Sequence, residues 1–265
     1  MRKLNVHVVP ERLRLRYTKT GRIRYTSQRD VARAWERALR RAKLPVAYSE
    51  GFSPRPLLSF SLALPTGCES QAEFTDIRFS SSSPVVSPFS VGEEWSQESL
   101  EIISKELGAL LPEGLDVTAS SALGGAEGSL QEEVTSCLWI VEVTGMSAAQ
   151  GTERVEALLG AANVPIERER KGRQVTDDLR PSVLSLKSEG PGQRVGSIRL
   201  SAELATKPRG VRPAELLQGI DPTLRLVRAS RQAQLIEFEG TYLEPLTEDG
   251  RLLGVTNPTT AKVGR

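Results

Sequence analysis

The densest group of side chains with binding chemistry lies between Lys19 and Pro56. Basic residues there surround a glycine turn that leads into the predicted start of a helix at Ser27. Free backbone N–H groups at a helix N-terminus attract anions, and cationic neighbours strengthen that attraction. The sequence therefore predicts a phosphate site at this turn, with Lys19, Arg22 and Arg24 around it.

The predicted helix adds a row of cations, because Arg33, Arg37 and Arg40 follow one another at spacings of four and three, with Arg41 beside them. Such a row on one helix face is suited to tracking a phosphate backbone. The same pattern is equally typical of a solvated helix face on which Glu36 offsets part of the charge. The sequence leaves both interpretations open.

A stiff loop follows the helix, with Gly51 and two prolines placed so that Phe52 and Arg55 are presented at a turn. An aromatic ring beside a guanidinium group can stack on a base or clamp an anion. Phe52 could equally be a core anchor, because aromatic side chains are usually buried. The predicted binding residues are Lys19, Arg22, Arg24, Ser27, Asp30, Arg33, Arg37, Arg40, Arg41, Gly51, Phe52, Pro54, Arg55 and Pro56.

Few residues offer catalytic chemistry. Asp30 and Asp76 are carboxylates that could do acid–base or nucleophilic work, although helix capping is the simpler account of Asp30. Cys68 and Cys137 are too few for a disulfide framework, a zinc ribbon or an iron–sulfur cluster. The single histidine, His7, argues against a histidine-based triad or a multi-histidine metal site. The sequence therefore predicts no metal and no cofactor, and it assigns no catalytic residue.

Charge is segregated along the 265-residue chain, although its net charge is only +2. Residues 1–60 hold 15 basic and 4 acidic side chains, residues 61–160 hold 3 and 16, and residues 161–265 hold 17 and 13. A basic block kept on one face would attract a phosphate-rich partner, unless the acidic middle segment neutralises it. The sequence has neither an apolar run of membrane-spanning length nor a signal peptide, so we expect a cytoplasmic protein without membrane contact.

Two strand–helix–strand cycles position these residues, and each fits a β-α-β-β-α-β order, the first with one extra strand. The predicted fold is α+β, with two ferredoxin-like sandwiches in tandem, each an antiparallel sheet with helices on one face. We expect a flexible segment at 1–11, a first domain at 12–119, a linker at 120–134, a second domain at 135–240 and a disordered tail at 241–265.

Several spaced motifs, most of them in the first third of the chain, match the pattern of one protein family. They are Tyr17–Gly21, Arg24–Ser27 with Asp30, Glu36–Ala42 with Leu44–Pro45, Tyr48–Pro54 with Pro56, and Leu64–Pro65 with Gly67, Ser70 and Glu73, followed later by Leu111–Gly114, Asp178 with Arg180–Pro181, and Arg212–Pro213. With these motifs the chain resembles the radical-SAM-linked protein family, a bacterial domain of unknown function, over residues 12–232. The resemblance implies association with a radical-SAM enzyme. This chain lacks cluster-binding cysteines, so it is not expected to be that enzyme itself.

The chain departs from the family pattern where two histidines are expected. Gln28 and Arg29 stand in place of His-Leu, and Arg55 stands in place of the second histidine. Loss of both imidazoles favours binding over catalysis, because glutamine and arginine still form hydrogen bonds with phosphates and base edges.

Three functions remain open at this point. The first is an accessory protein that binds RNA or presents substrate to a radical-SAM partner and is not catalytic alone. The second is an RNA-modifying or RNA-cleaving enzyme that uses Asp30 or Asp76. The third is a protein–protein adaptor that binds no nucleic acid, with its basic segment docked on an acidic partner.

Overall fold

A computed structural model describes residues 12–80, 97–123 and 129–247 of the chain. The chain divides into two units. Within the described ranges, the first unit comprises residues 12–66, 72–80, 97–123, 129–133 and 243–247, and the second comprises 67–71 and 134–242. The architecture is α+β, with five α-helices in the described part of the chain.

The elements of the first unit follow the predicted alternation of strands and helices. They are β1 (Arg12–Lys19), a 3-10 turn (Gly21–Tyr25), α1 (Gln28–Ala42), β2 (Leu58–Phe60), β3 (Glu69–Arg78), α2 (Gln97–Leu110), β4 (Val117–Leu123) and α3 (Leu130–Glu133). The strand order is β4-β1-β3, and β2 also pairs with β3. The first residues of β3, Glu69–Gln71, belong to the second unit.

The core of the first unit lies between its sheet and helices α1 and α2. Alternation along β1 places Leu13, Leu15 and Tyr17 on this side of the sheet. The Tyr17 and Trp35 rings pack edge to face there, with their centroids 5.2 Å apart. The residues between Leu13, Leu15 and Tyr17 point to the opposite face. Arg14 on that face is only 2% exposed.

That opposite face of the first unit is covered by a second apolar cluster. Phe74 on β3 packs with Leu130 of α3 and with Leu246, which belongs to the segment after the last strand. Arg14 lies buried on this side and donates from Nε and Nη2 to the two carboxylate oxygens of Asp76, at 2.8 and 2.9 Å. A charge can remain buried there because its partner accepts both hydrogen bonds.

The second unit contains the remaining elements. They are β5 (Ser136–Thr144), α4 (Ala148–Gly160), β6 (Pro165–Arg170), β7 (Arg173–Asp178), a 3-10 turn (Arg180–Ser182), β8 (Val183–Pro191), β9 (Ser197–Ala205), α5 (Pro213–Ile220), β10 (Arg225–Phe238) and β11 (Thr241–Leu243). Leu243, the last residue of β11, belongs to the first unit. The strand order is β10-β5-β9-β8, all antiparallel. Glu69 and Ser70 of β3 add a parallel pairing with Ser230 and Arg231 of β10, which makes the strand pairing mixed.

The structure departs from the predicted boundaries in several places. Residues 120–123 of the predicted linker belong to β4, and Leu130–Glu133 forms a helix. The predicted disordered tail is ordered over 241–247, because β11 pairs with β10 and Leu246 is fully buried. The expectations for 1–11, 124–128 and 248–265 concern residues outside the described part. Val46 and Tyr48 form only isolated bridges, with Phe79 and Pro56 respectively.

The hairpin of β6 and β7 was not predicted. Seven of the twelve residues in its two strands are charged, and the strands lack the apolar alternation that is the usual signal of a half-buried strand. It is supported instead by an ion pair between Arg168 and Asp177, which also accepts a hydrogen bond from Arg209 at 3.0 Å. Among the described residues, no helix is both long enough and apolar enough to cross a membrane.

Candidate functional site

The segment Ala47–Leu57, called here the Phe52 loop, is a narrow projection closed by its own hydrogen bonds. Leu57 N donates to Ala47 O at 2.8 Å, and Ser49 N donates to Arg55 O at 2.9 Å. The Ser49 hydroxyl accepts from Arg55 N at 3.1 Å. Ala47 N in turn donates to Arg78 O at 2.8 Å, so the base of the loop is anchored on β3.

Phe52 stands at the tip of this loop and is fully exposed. The alternative that Phe52 is a core anchor is therefore wrong. Gly51 before it has a φ of +119°, a conformation that L side chains rarely adopt, so the turn needs glycine there. Arg55 is exposed beside the tip, whereas Pro56 is buried and belongs to the support of the loop.

Helix α1 carries five exposed arginines, called here the arginine stripe: Arg29, Arg33, Arg37, Arg40 and Arg41. At 3.6 residues per turn they fall within an arc of about 120°. The opposite side of the helix is apolar, because its buried residues are Val31, Ala34, Trp35, Ala38 and Leu39.

The acidic neighbours of the stripe offset only part of its charge. Arg33 lies 3.7 Å from Asp30, and Arg40 lies 3.9 Å from Glu36, with both arginines more than half exposed. Exposed pairs of this kind contribute at most about 1 kcal/mol. Arg37 and Arg41 form no ion pair with any residue in the described ranges. The stripe therefore keeps a net positive charge at the surface.

The turn before α1 presents an aromatic and cationic pair. The Arg24 guanidinium lies 4.8 Å from the centroid of the Tyr25 ring, and its Nη2 donates to the Tyr25 hydroxyl at 2.7 Å. Tyr25 is 63% exposed, and Arg22 beside it is also exposed. Both arginines are among the predicted binding residues, whereas Tyr25 and the exposed Tyr48 are not, because neighbouring residues in the sequence do not indicate whether a tyrosine is exposed.

The predicted phosphate site at the N-terminus of α1 is not supported by the geometry. Ser27 and Asp30 form a reciprocal capping box, in which Ser27 Oγ accepts from Asp30 N at 3.2 Å and donates to the Asp30 carboxylate at 2.6 Å. These hydrogen bonds from the Ser27 side chain and backbone hold the pKa of Asp30 below its usual range. A carboxylate already occupies the helix end, so Ser27 and Asp30 are capping residues.

Lys19 also departs from its predicted role as a phosphate contact. Its side chain is buried, and Nζ donates to the Thr26 carbonyl at 2.7 Å. This contact ties the 3-10 turn to β1. Lys19 therefore positions Arg22 and Arg24 rather than reaching a ligand itself.

Asp76, the other catalytic candidate, is buried and accepts both of its hydrogen bonds from Arg14. Its place in the covered face of the sheet makes it a structural partner. Cys68 and Cys137 are both buried. The described residues contain no group of three or more histidine, cysteine, aspartate or glutamate side chains that could hold a metal ion.

These features define an α+β protein with a basic and aromatic surface on its first unit. The chain belongs to a family of uncharacterized proteins conserved in bacteria, DUF2344, whose profile matches residues 12–213. No curated protein matches the sequence. Among solved structures, the chain is similar to one in "Crystal Structure of a Cbf5-Nop10-Gar1 Complex", with a TM-score of 0.42 and 7% identity. That likeness covers 85% of this chain and 49% of the other, so this chain spans about half the length of its structural neighbour.

Proposed function

We propose that this protein binds single-stranded or loop RNA through its first unit and presents it, as an accessory protein, to a partner enzyme. The observation that carries the proposal is the fully exposed Phe52 at the tip of a hydrogen-bonded loop. A solvent-exposed phenylalanine forgoes about 2 kcal/mol of burial free energy. A rigid loop that holds such a ring out in water is well suited to receive a stacking partner.

Stacking on a base is the interaction that best uses Phe52. An aromatic side chain contributes about 1 to 3 kcal/mol per stacked base, largely without regard to sequence. The hydrogen bonds that close the Phe52 loop reduce the conformational entropy lost on binding. Tyr25, stacked with Arg24, offers a second aromatic face in the same unit.

The arginine stripe supplies the electrostatic part of the proposed binding. A helix face that carries several cations and few compensating carboxylates attracts phosphates and releases their counterions. Arg22 and Arg55 extend the exposed positive charge to the 3-10 turn and to the Phe52 loop. Carboxylate catalysis is less well supported, because Asp30 and Asp76 are both engaged in structural contacts.

The proposed partner is a radical-SAM enzyme, and the proposal of this partner rests on the motif resemblance alone.

The fold that we propose for each unit is ferredoxin-like. The first unit has strand order β4-β1-β3 with β2 on β3, and the second has β10-β5-β9-β8. In both units the helices follow the first and third of these strands in chain order, which supports the split β-α-β-β-α-β arrangement.

The test is a titration of the full chain with a labelled single-stranded RNA and a labelled structured RNA at two salt concentrations. We expect salt-sensitive binding that is weakened in a variant with Arg33→Glu, Arg37→Glu and Arg41→Glu. The slope of log affinity against log salt should flatten by about one unit for each lost phosphate contact.

A matched control places the same charge change on the second unit. Arg170, Lys171 and Arg173 are exposed on the β6–β7 hairpin, and their replacement by glutamate should leave the salt slope unchanged. Equal losses in both variants would mean that overall charge, not the stripe, drives binding. No binding by the wild-type chain at low salt would reject RNA recognition and favour the adaptor function.

A further inference from the structure

A polar cleft of about 170 Å³ lies within the second unit, on one face of strands β5, β9 and β10. Strand alternation puts Ile140 and Glu142 on this face, whereas Val141 and Val143 between and beyond them are fully buried on the other. In the strand register, Glu142 lies opposite Arg228 of β10 and Arg199 of β9. The cleft therefore has Ile140 as its apolar floor and charged side chains at one end.

The charges around the cleft balance one another. Glu142 Oε1 accepts from Arg194 N at 2.6 Å and from the Ser197 hydroxyl. Arg228 donates from Nε to Glu69 Oε2 at 2.7 Å. Two guanidinium groups and two carboxylates leave no net charge, so the cleft is better suited to a neutral polar ligand than to an anion or a cation.

Hydrogen-bonding capacity remains unused around the cleft. Gln71 and Arg199 form no side-chain hydrogen bond with any residue that the structure describes. The side-chain nitrogen of Gln232 donates to the Ser230 hydroxyl at 2.8 Å, which leaves the side-chain oxygen of Gln232 available as an acceptor. The cleft thus presents donors and acceptors together, and glutamine and arginine side chains of this kind form paired hydrogen bonds with the edges of bases.

The loop beside the cleft is fixed by Glu142, which acts as a positioning residue. Its carboxylate binds the backbone of Arg194 and the side chain of Ser197, and these hydrogen bonds hold the loop that carries Gln193 into the cleft. A Cβ on Gly192 would lie 2.7 Å from Glu142 Oε1, so the close approach requires glycine. Gln193 in turn accepts from Arg228 at 3.3 Å.

We propose that this polar cleft holds one unstacked nucleobase of a bound RNA, with Gln71, Gln232 and Arg199 contacting the edge of the base over Ile140. The volume is below the roughly 300 Å³ at which pockets for drug-sized ligands begin, and it suits a single heterocycle. The inference rests on the proposed function and adds to it a site on the second unit that reads the base rather than the phosphate.

The experiment uses nucleosides, which carry no phosphate and therefore bypass the arginine stripe. Adenosine, guanosine, cytidine and uridine are titrated into the full ¹⁵N-labelled chain while the side-chain amide signals of Gln71, Gln193 and Gln232 are followed by NMR. We expect saturable shifts with one nucleoside in preference to the others. Absence of saturable shifts with all four would overturn the inference.

Matched variants separate a cleft contact from a general effect. Gln232→Leu should weaken the preferred nucleoside about tenfold, the value for loss of a good base-edge contact. Gln174→Leu changes an exposed glutamine on the β6–β7 hairpin and should have no effect. Unchanged affinity in Gln232→Leu, with folding confirmed by its amide spectrum, would also overturn the inference.

RNA oligomers distinguish failure of the cleft from failure of the proposed function. With homopolymers, Gln232→Leu should reduce the ratio of affinities between bases and leave the salt slope unchanged. The variant of the arginine stripe should flatten the salt slope and leave the ratio of affinities between bases unchanged. RNA binding without any base preference would overturn the cleft alone, whereas nucleoside binding by a chain that binds no RNA would overturn both the proposed function and the RNA-bound form of the cleft.

Discussion

Two strand arginines, Arg14 of the first unit and Arg199 of the second, have opposite environments. In the first unit, Arg14 is buried on the sheet face away from α1 and α2, the face that carries the cluster of Phe74, Leu130 and Leu246. In the second unit, Arg199 lies exposed at the cleft on a sheet face. Arg14 is thus an internal partner of Asp76, whereas Arg199 stays open to solvent.

The largest expected effect comes from breaking the buried ion pair of Arg14 and Asp76 in the first unit. Asp76→Ala leaves the Arg14 guanidinium buried without its acceptor, and we expect the free energy of unfolding to fall by about 3 to 5 kcal/mol. Arg199→Ala, on the open face of the second unit, should change it by less than about 0.5 kcal/mol. Urea denaturation of both variants measures the difference.

The double variant Arg14→Met with Asp76→Leu removes both charges and should recover most of the lost stability, because well-packed apolar residues replace a buried pair at little cost. An Asp76→Ala protein as stable as Arg199→Ala would contradict the structural role of Asp76 and revive it as a catalytic candidate.

The next largest effect is on RNA affinity, and it is tested at two exposed phenylalanines, one in each unit. Phe52→Ala should weaken RNA binding by about 1 to 3 kcal/mol, because it removes the proposed stacking surface. Phe238 at the end of β10 is 47% exposed, and Phe238→Ala should leave the affinity unchanged. Fluorescence anisotropy with a single-stranded RNA measures both, and Phe52→Tyr should retain binding. Equal losses at the two sites would show that the Phe52 loop has no special role.

A smaller effect concerns Glu142 in the second unit. Hydrogen bonds from Ser197 and from the Arg194 backbone hold the pKa of Glu142 below its ordinary value of 4.5. A lowered pKa contributes stability that is complete above that ordinary value and is lost as the pH falls through the folded-state pKa. Glu142→Gln should therefore lower the free energy of unfolding at neutral pH, and its difference from the wild-type chain should narrow in acid. A pH-independent difference would contradict the assignment.

The smallest effect compares the two capping boxes. Ser27→Ala on α1 and Ser147→Ala on α4 should each cost about 1 kcal/mol of unfolding free energy at neutral pH. The box of α1 uses Asp30, whose pKa is lowered by Ser27, whereas the box of α4 uses Gln150, which does not titrate. The cost of Ser27→Ala should shrink below about pH 3.8 as Asp30 takes up a proton, and the cost of Ser147→Ala should not. Identical pH profiles would contradict this difference.

Local patterns predicted the elements that build the first unit. Ser27 followed by Asp30 predicted the start of α1, and the structure confirms the capping box. The alternation of apolar and basic residues from Leu13 to Tyr17 is typical of a half-buried strand, and the apolar side of β1 lies in the core. These signals are local, because caps and strand alternation depend on residues a few positions apart.

Contacts between distant segments could not be predicted in this way. The apolar cluster on the Arg14 face of the sheet includes Leu246, which comes from a segment that the sequence predicted to be disordered. Lys19 looked like a surface cation, but its ammonium group meets a backbone carbonyl inside the fold. Exposure of Phe52 opposed the general tendency of aromatic residues, and only the closed geometry of its loop explains it.

The division of β3 between the two units has a consequence for dissecting the chain. A fragment of residues 134–242 would lack Glu69 and Ser70, which pair with β10, and would also lack Gln71 of the cleft. The backbone N–H and C=O groups thereby uncovered on β10 would be open to pairing with another copy. Such a fragment is expected to self-associate. Fusion of residues 67–71 to it through a linker should restore a monomer, because the added strand covers the exposed edge of β10.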